Sequence, residues 1–133
     1  ITLVGPSVVK FKEEFVAAGL TVSLLATGDG DTCFEVFDAV FNMMSSSGQS
    51  DAGMELMIAS RDFDQWPELL TVGCCAGSSH SALMMMDKTN LDSEAVCLKY
   101  LASHSACVSR LLFVGGRLGL GAEEQSMLAS SIA

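Results

Sequence analysis

Ser81-Ala82-Leu83-Met84-Met85-Met86 carries no charge and, after its opening serine, no break in its apolar character. A run this short and this apolar suits a central strand covered on both faces, where flexible methionine side chains fill gaps. Reading the three methionines as a cofactor box is much the weaker alternative. Four further apolar runs, Ile1–Gly5, Leu20–Ala26, Met54–Ala59 and Leu111–Val114, alternate with helix-like stretches. Such alternation predicts parallel strands with helices on both faces.

The helix-like stretches carry start and stop signals. Pro6 suits a first helical turn, Val8, Phe11 and Phe15 recur at three and four residues, and Gly19 supplies the stop. Asp31 or Thr32 can cap a second helix whose Phe34, Phe37, Phe41 and Met44 share a stripe, ending in the loop Ser45–Gly53. Trp66, Pro67, Leu69 and Leu70 suggest a third helix running toward Cys74, and Asp92 or Ser93 starts a fourth through Val96, Tyr100 and Leu101. A fifth is expected from about Ala122 to Ser130.

Composition narrows the class. A chain of 133 residues, half of them apolar, fits one domain spanning 1–133. Sixteen acids against seven bases give a formal charge of −9, which repels nucleic-acid phosphates, and the basic residues form no patch. No apolar stretch approaches the roughly 20 residues that span a bilayer, so membrane insertion of this segment is not expected. The five cysteines, Cys33, Cys74, Cys75, Cys97 and Cys107, lie in apolar runs without metal-type spacing. They read as small buried hydrophobes from a reducing, cytoplasmic compartment, with the nucleus also open. The chain opens on Ile1 inside a strand-like run, as expected of a segment from a longer signalling polypeptide.

Five βα units predict a flavodoxin-like, doubly wound sheet in the order 2-1-3-4-5. Within that class one resemblance is specific. In Ala18-Gly19-Leu20-Thr21-Val22-Ser23-Leu24-Leu25-Ala26-Thr27-Gly28, the positions of Gly19, Val22 and Gly28 follow the spacing seen in response-regulator receiver domains. Leu3-Val4-Gly5-Pro6-Ser7 stands where a receiver has a strand and an acidic pair, and Glu55-Leu56-Met57-Ile58-Ala59-Ser60 where its third strand ends in the phospho-accepting aspartate. The chain therefore resembles a degenerate receiver.

Receiver chemistry needs acids to hold a divalent cation, an aspartate acceptor, a hydroxyl that senses the product and a lysine that neutralises it. By register, the resemblance puts Gly5 and Pro6 at the metal-binding acids, Ser60 at the acceptor, Met86 or Asp87 at the hydroxyl, and Gly115 at the lysine. A register slip would make Asp62 or Asp64 nominal acceptors, with the metal pair and the lysine still missing. The resemblance implies no cofactor and no catalysis. It implies a signalling face on the fourth helix, fifth strand and fifth helix, carrying Tyr100, Arg110, Arg117 and Met127, for a protein partner, a neighbouring domain or a second copy. The rival expectation is a flavodoxin-like or Rossmann-like domain that takes a small molecule at the strand edges around Gly5, Ser60, Met86 and Gly115.

Other constellations have blander readings. Gly115-Gly116-Arg117-Leu118-Gly119-Leu120-Gly121 could cradle phosphate, but Glu123 and Glu124 in the next helical turn would repel it. Asp29, Asp31, Glu35 and Asp38 at a helix start compensate its dipole rather than form a calcium loop. Cys74, Cys75 and His80 offer nucleophile and base types, yet Val72 to Ala76 reads as a small apolar segment packed on the sheet. His104 reads as a surface or capping histidine, and Ser45, Ser46 and Ser47 as a solvated loop open to modification.

Overall fold

The computed structural model describes residues 1–28, 31–46, 53–61, 66–115 and 119–133, without the side chains of Thr32, Trp66, Pro67 and Glu68. The fold is mixed α/β with parallel sheets. Two compact units divide the chain, Ile1–Val40 and Phe41–Ala133.

In the first unit, β1 (Thr2–Val4) pairs in parallel with β2 (Ser23–Leu25), Leu3 opposite Leu24. Gly5, at φ 92°, turns the chain out of β1 into a 3-10 turn over Pro6–Phe11, which runs on into α1 (Lys12–Ala17). Gly19 ends this helix as expected. At φ 82° it lets its own N–H reach the Val16 carbonyl and that of Leu20 reach Phe15, which satisfies the last carbonyls of the helix. The Phe11 and Phe15 stripe is exposed, and neither helical segment has a buried residue. α2 (Thr32–Ser46) begins in this unit, up to Val40, and continues in the second from Phe41; it starts at Asp31, whose Oδ1 accepts from the N–H groups of Cys33 and Phe34 at 3.0 and 3.3 Å. Phe37 and Phe41 on its stripe are buried.

The second unit runs β3 (Met54–Ser60), α3 (Trp66–Ser79), β4 (Ala82–Met86), α4 (Leu91–Ser103), β5 (Val108–Val114) and α5 (Ala122–Ser130). All three strands are parallel and β3 lies in the middle: the order is 4-3-5. Two expectations are corrected here. Among the described residues β1 and β2 pair with each other and not within a five-stranded sheet. β5 pairs with β3, so Ala82–Met86 is an edge strand and the central one is Met54–Ser60. Burial fits the correction, because β3 is buried at all but one position whereas β4 alternates buried and half-buried.

The physical reason lies in what the crossover rule leaves open. A right-handed crossover fixes which face a helix takes once the direction of travel is chosen, but not the direction itself. Met57 packs with Val72 and Ala76 of α3, and with Leu83, Leu112 and Val114 of the flanking strands, so α3 covers the Met57 face. The step from β4 back past β3 to β5 reverses direction, and right-handedness then assigns α4 to the other face. Cys97 and Leu101 supply its buried side.

Candidate functional site

In a parallel sheet the carboxyl ends of the strands are where loops converge and chemistry is placed, above all where the winding reverses direction. That edge of the second unit comprises Ser60 at the end of β3 with Arg61 after it, Met86 at the end of β4 with the chain to Asn90 after it, and Gly115 after β5. Ser60 stands opposite Met86 in the ladder, and the Arg61 N–H extends the pairing to the Met86 carbonyl at 2.9 Å. Both side chains belong to the Leu56 and Ile58 face by strand alternation, and both are closed off, Ser60 at 2% exposure and Met86 at 0%. Gly115, at φ 108°, turns the chain out of β5 through backbone angles that favour glycine. Gly5, buried, and Pro6, exposed, occupy the corresponding end of β1 in the first unit.

Among the described residues Asp87 is the carboxylate of this edge, and it is engaged locally. Its Oδ1 accepts from the Thr89 hydroxyl at 2.6 Å and the Thr89 N–H at 3.0 Å, and Oδ2 lies 3.8 Å from the Arg61 guanidinium. The Thr89 hydroxyl, then the Thr89 N–H, hold its pKa below the ordinary aspartate value against an upward push from burial, with Arg61 adding the smallest contribution downward. Such a group is an anion committed to its own turn. Its N–H donates to Ser93 Oγ at 3.2 Å, and Asn90 Oδ1 caps α4 by accepting from Asp92 N–H and Ser93 N–H. The helix start expected at Asp92 or Ser93 thus falls at Leu91, with Asn90 the cap. Asparagine directly before Leu91, with Asp92 and Glu94 in the first helical turn, was the available signal. Lys88 Nζ reaches across to donate to the Gly119 carbonyl at 3.0 Å, tying the β4 loop to the chain beyond β5.

At the start of α5, a Cβ built on the N-cap Gly121 would stand 2.6 Å from Glu124 Oε2. The carboxylate of Glu124 therefore folds back over the helix start, where a phosphate would have to sit.

The residues of the expected signalling face are spread over different settings. Tyr100 of α4 stacks on His104 with centroids 4.1 Å apart, and both rings stand edge-on to Phe41 at 5.4 and 5.3 Å. His104 is the C-cap of α4, as a capping histidine should be, its N–H shared by the Tyr100 and Leu101 carbonyls. Arg110 projects on the α3 face, where Nη1 lies 3.1 Å from Glu55 Oε2 and Ser81 Oγ donates to the other oxygen of Glu55 at 3.0 Å. Met127 is half-buried. Asp29, Ser47, Asp62, Asp64, Gly116 and Arg117 lie outside the described residues.

The cysteine reading is corrected in part. Cys97 is buried, Cys33 and Cys107 are half-buried, and Cys74 and Cys75 are exposed free thiols. Val72 and Ala76, four residues apart, take the sheet-facing stripe of α3, and positions 74 and 75 fall off it. His80 is exposed just past the helix, with φ 56°.

No protein-family model, no curated protein and no solved structure matches the chain. Among the described residues no helix is long and apolar enough to cross a membrane.

Proposed function

We propose that the chain is a non-catalytic, receiver-like interaction module, regulating a neighbouring domain or binding a protein partner or second copy without phosphoryl transfer. The observation that carries the reading is the state of the strand ends. A phosphoryl acceptor must be an accessible carboxylate beside a metal site. Here the corresponding side chains are the buried Ser60 and Met86, and the neighbouring Asp87 is spent on Thr89 and Arg61. From the receiver the proposal borrows a mode of action and not its strand order, which the 4-3-5 sheet does not share.

The first test is chemical. Incubation with acetyl phosphate and Mg²⁺ is expected to leave the intact mass unchanged. A gain of one phosphoryl group that disappears on mutating Ser60, Asp62 or Asp64 would overturn the proposal. The second test is binding. Arg117→Ala is expected to weaken self-association or partner capture by ~1–2 kcal/mol, as an arginine anchor does, and Asp31→Asn to matter less. Tyr100→Ala should act in the same direction, but it also opens the Phe41 and His104 cluster. Its thermal melt must therefore accompany sedimentation.

One observation favours a second reading, a small-ligand domain at the same edge. The winding reverses between β3 and β5, which is where α/β sheets place ligands. A rise in melting temperature with a nucleotide or small organic acid, abolished by Ser60→Leu or Gly115→Val, would decide for it.

A further inference from the structure

Every residue from Val9 to Leu20 is exposed, although Pro6–Phe11 and α1 make one helical run that carries Val9, Phe11, Phe15 and Val16. These four side chains and Leu20 are 36–52% exposed, and eight of the twelve exposed large apolar side chains among the described residues lie in positions 1–24. A helix this short is marginal in water unless an apolar face packs against something, and such a concentration of exposed apolar surface marks an interaction site.

Charge says what can cover it. Lys10 and Lys12 balance Glu13 and Glu14, so residues 1–28 have a formal charge of zero, while fourteen acids and five bases put the whole −9 on residues 29–133. Two copies repel one another through the rest of the chain, and this segment is where they can meet without a surplus of like charge. Lys10 Nζ stands over the Phe11 ring of its own chain, 5.0 Å from the centroid. Lys12 and Glu13 are adjacent, opposite in sign and both exposed.

The order of these residues along the helix selects one geometry. Inverting a second copy about a two-fold axis level with the Lys12–Glu13 peptide bond sets each residue at the height of the one equally far beyond that bond. Lys12 then meets Glu13 of the second copy, and Val9 meets Val16. Phe11 and Phe15, four apart on one face, come beside the same two rings of the second copy within about one residue's rise, ~1.5 Å. A parallel pairing would instead set Lys12 against Lys12 and Glu13 against Glu13.

We infer that the helical run Pro6–Ala17 is a self-docking surface, pairing antiparallel with the same run of a second copy. Val9, Phe11, Phe15 and Val16 are covered in the pair, and Lys12 joins Glu13 across the axis on both sides. So few partly exposed side chains make a small interface of the transient class, with an expected Kd of about 10–100 µM. The inference does not rest on the receiver-like reading: it assigns self-association to the first unit and leaves the Arg117 face to a protein partner.

The test is sedimentation equilibrium of the whole chain from about 5 µM to 1 mM, where a reversible monomer–dimer curve is expected. Phe15→Ser, at a side chain already exposed, should weaken dimerisation about tenfold or more, since the two-fold axis applies each change twice. Lys12→Glu and Glu13→Lys should each weaken it about tenfold by setting like charges across the axis. An equimolar mixture of these two variants should recover the parent's association, because both cross-pairs of the mixed dimer are again opposite in sign. The double variant Lys12→Glu/Glu13→Lys is a second route to recovery, and circular dichroism of each variant checks that the helix persists. A chain monomeric at the top of the range, association unchanged by Phe15→Ser, or no recovery by either route would overturn the inference. So would a monomeric chain whose α1 variants lose capture of another protein, which gives the face to that protein. Loss on Arg117→Ala with the α1 variants unaffected would also overturn it, moving self-association to the second unit and leaving the receiver-like reading intact.

Discussion

β3 and β1 look alike in sequence and differ in structure. Met54–Ser60 is buried at all but one position, with helices on either side and a strand on either edge, whereas Thr2–Val4 and its partner Ser23–Leu25 hold exposed or half-buried residues only. Apolar composition is common to both. What differs is the cover available within each unit. The first unit has two three-residue strands, a 3-10 turn and α1 with no buried residue, and the first part of α2 with Phe37 buried, and at about 40 residues it is near the lower limit at which a chain can build its own core. An apolar run thus states that a strand can be buried and leaves open whether anything buries it.

The largest expected effect separates the two units directly. Ile58→Ala removes a side chain with 0% exposure from the middle strand and should cost about 3–4 kcal/mol in a denaturant titration, the transfer loss plus an uncollapsed cavity. Leu24→Ala in β2, from a side chain 37% exposed, should cost less than ~1 kcal/mol. Equal costs would show that the first-unit strand is covered after all and would dissolve the contrast.

Glycine substitutions sharpen it one step further down. Gly53, at φ 72°, enters β3 so close to β5 that an added Cβ would collide with the Ser109 side chain. Gly53→Ala should cost about 3 kcal/mol, combining left-handed strain with overpacking. Gly19 has a similar φ, 82°, but open space around it. Gly19→Ala in the first unit should cost about 1 kcal/mol, the backbone part alone. The reverse change at His80, the left-handed residue after α3, should stabilise: His80→Gly is expected to gain about 1 kcal/mol, visible as a higher melting temperature.

How much was legible follows from the same contrast. Local signals were read correctly where one or two residues suffice: Gly19 as a helix stop, Asp31 as one of two candidate caps, and Ala122 to Ser130 as the last helix. The strand order was not, because pairing β5 with β3 or with β4 satisfies the same apolar pattern and the same crossover handedness. The exposure of Cys74 and Cys75 was missed because the segment Val72 to Ala76 is apolar throughout, and only the choice of Val72 and Ala76 as the facing pair assigns the thiols outward. Of the candidate edge, Ser60 and Met86 could be placed by register, but the partners of Asp87 could not. Thr89 is two residues away and visible, whereas Arg61 comes from the loop after another strand.

The smallest effect asks whether the order of the second unit reaches its loops, and its sign can be worked out. Asp87 has a folded-state pKa below the ordinary aspartate value of 3.8. Its hydrogen bonds therefore contribute stability that is fully present above that value and is lost as pH falls through the folded pKa. The stability difference between the parent and Asp87→Asn should be constant from neutral pH down to the ordinary carboxylate range and shrink only below it. Carboxyl-carbon NMR of Asp87 gives the finer test. Thr89→Val removes the largest cause of the depression and should move the titration midpoint upward most. Arg61→Met removes a guanidinium 3.8 Å away, the last of the causes, and should move it less. If Arg61→Met gives the larger shift, the loop after β4 is organised by the charge on β3 rather than by its own turn. The edge would then be an electrostatic unit joining two strands, and the local closure that supports the non-catalytic reading would have to be abandoned.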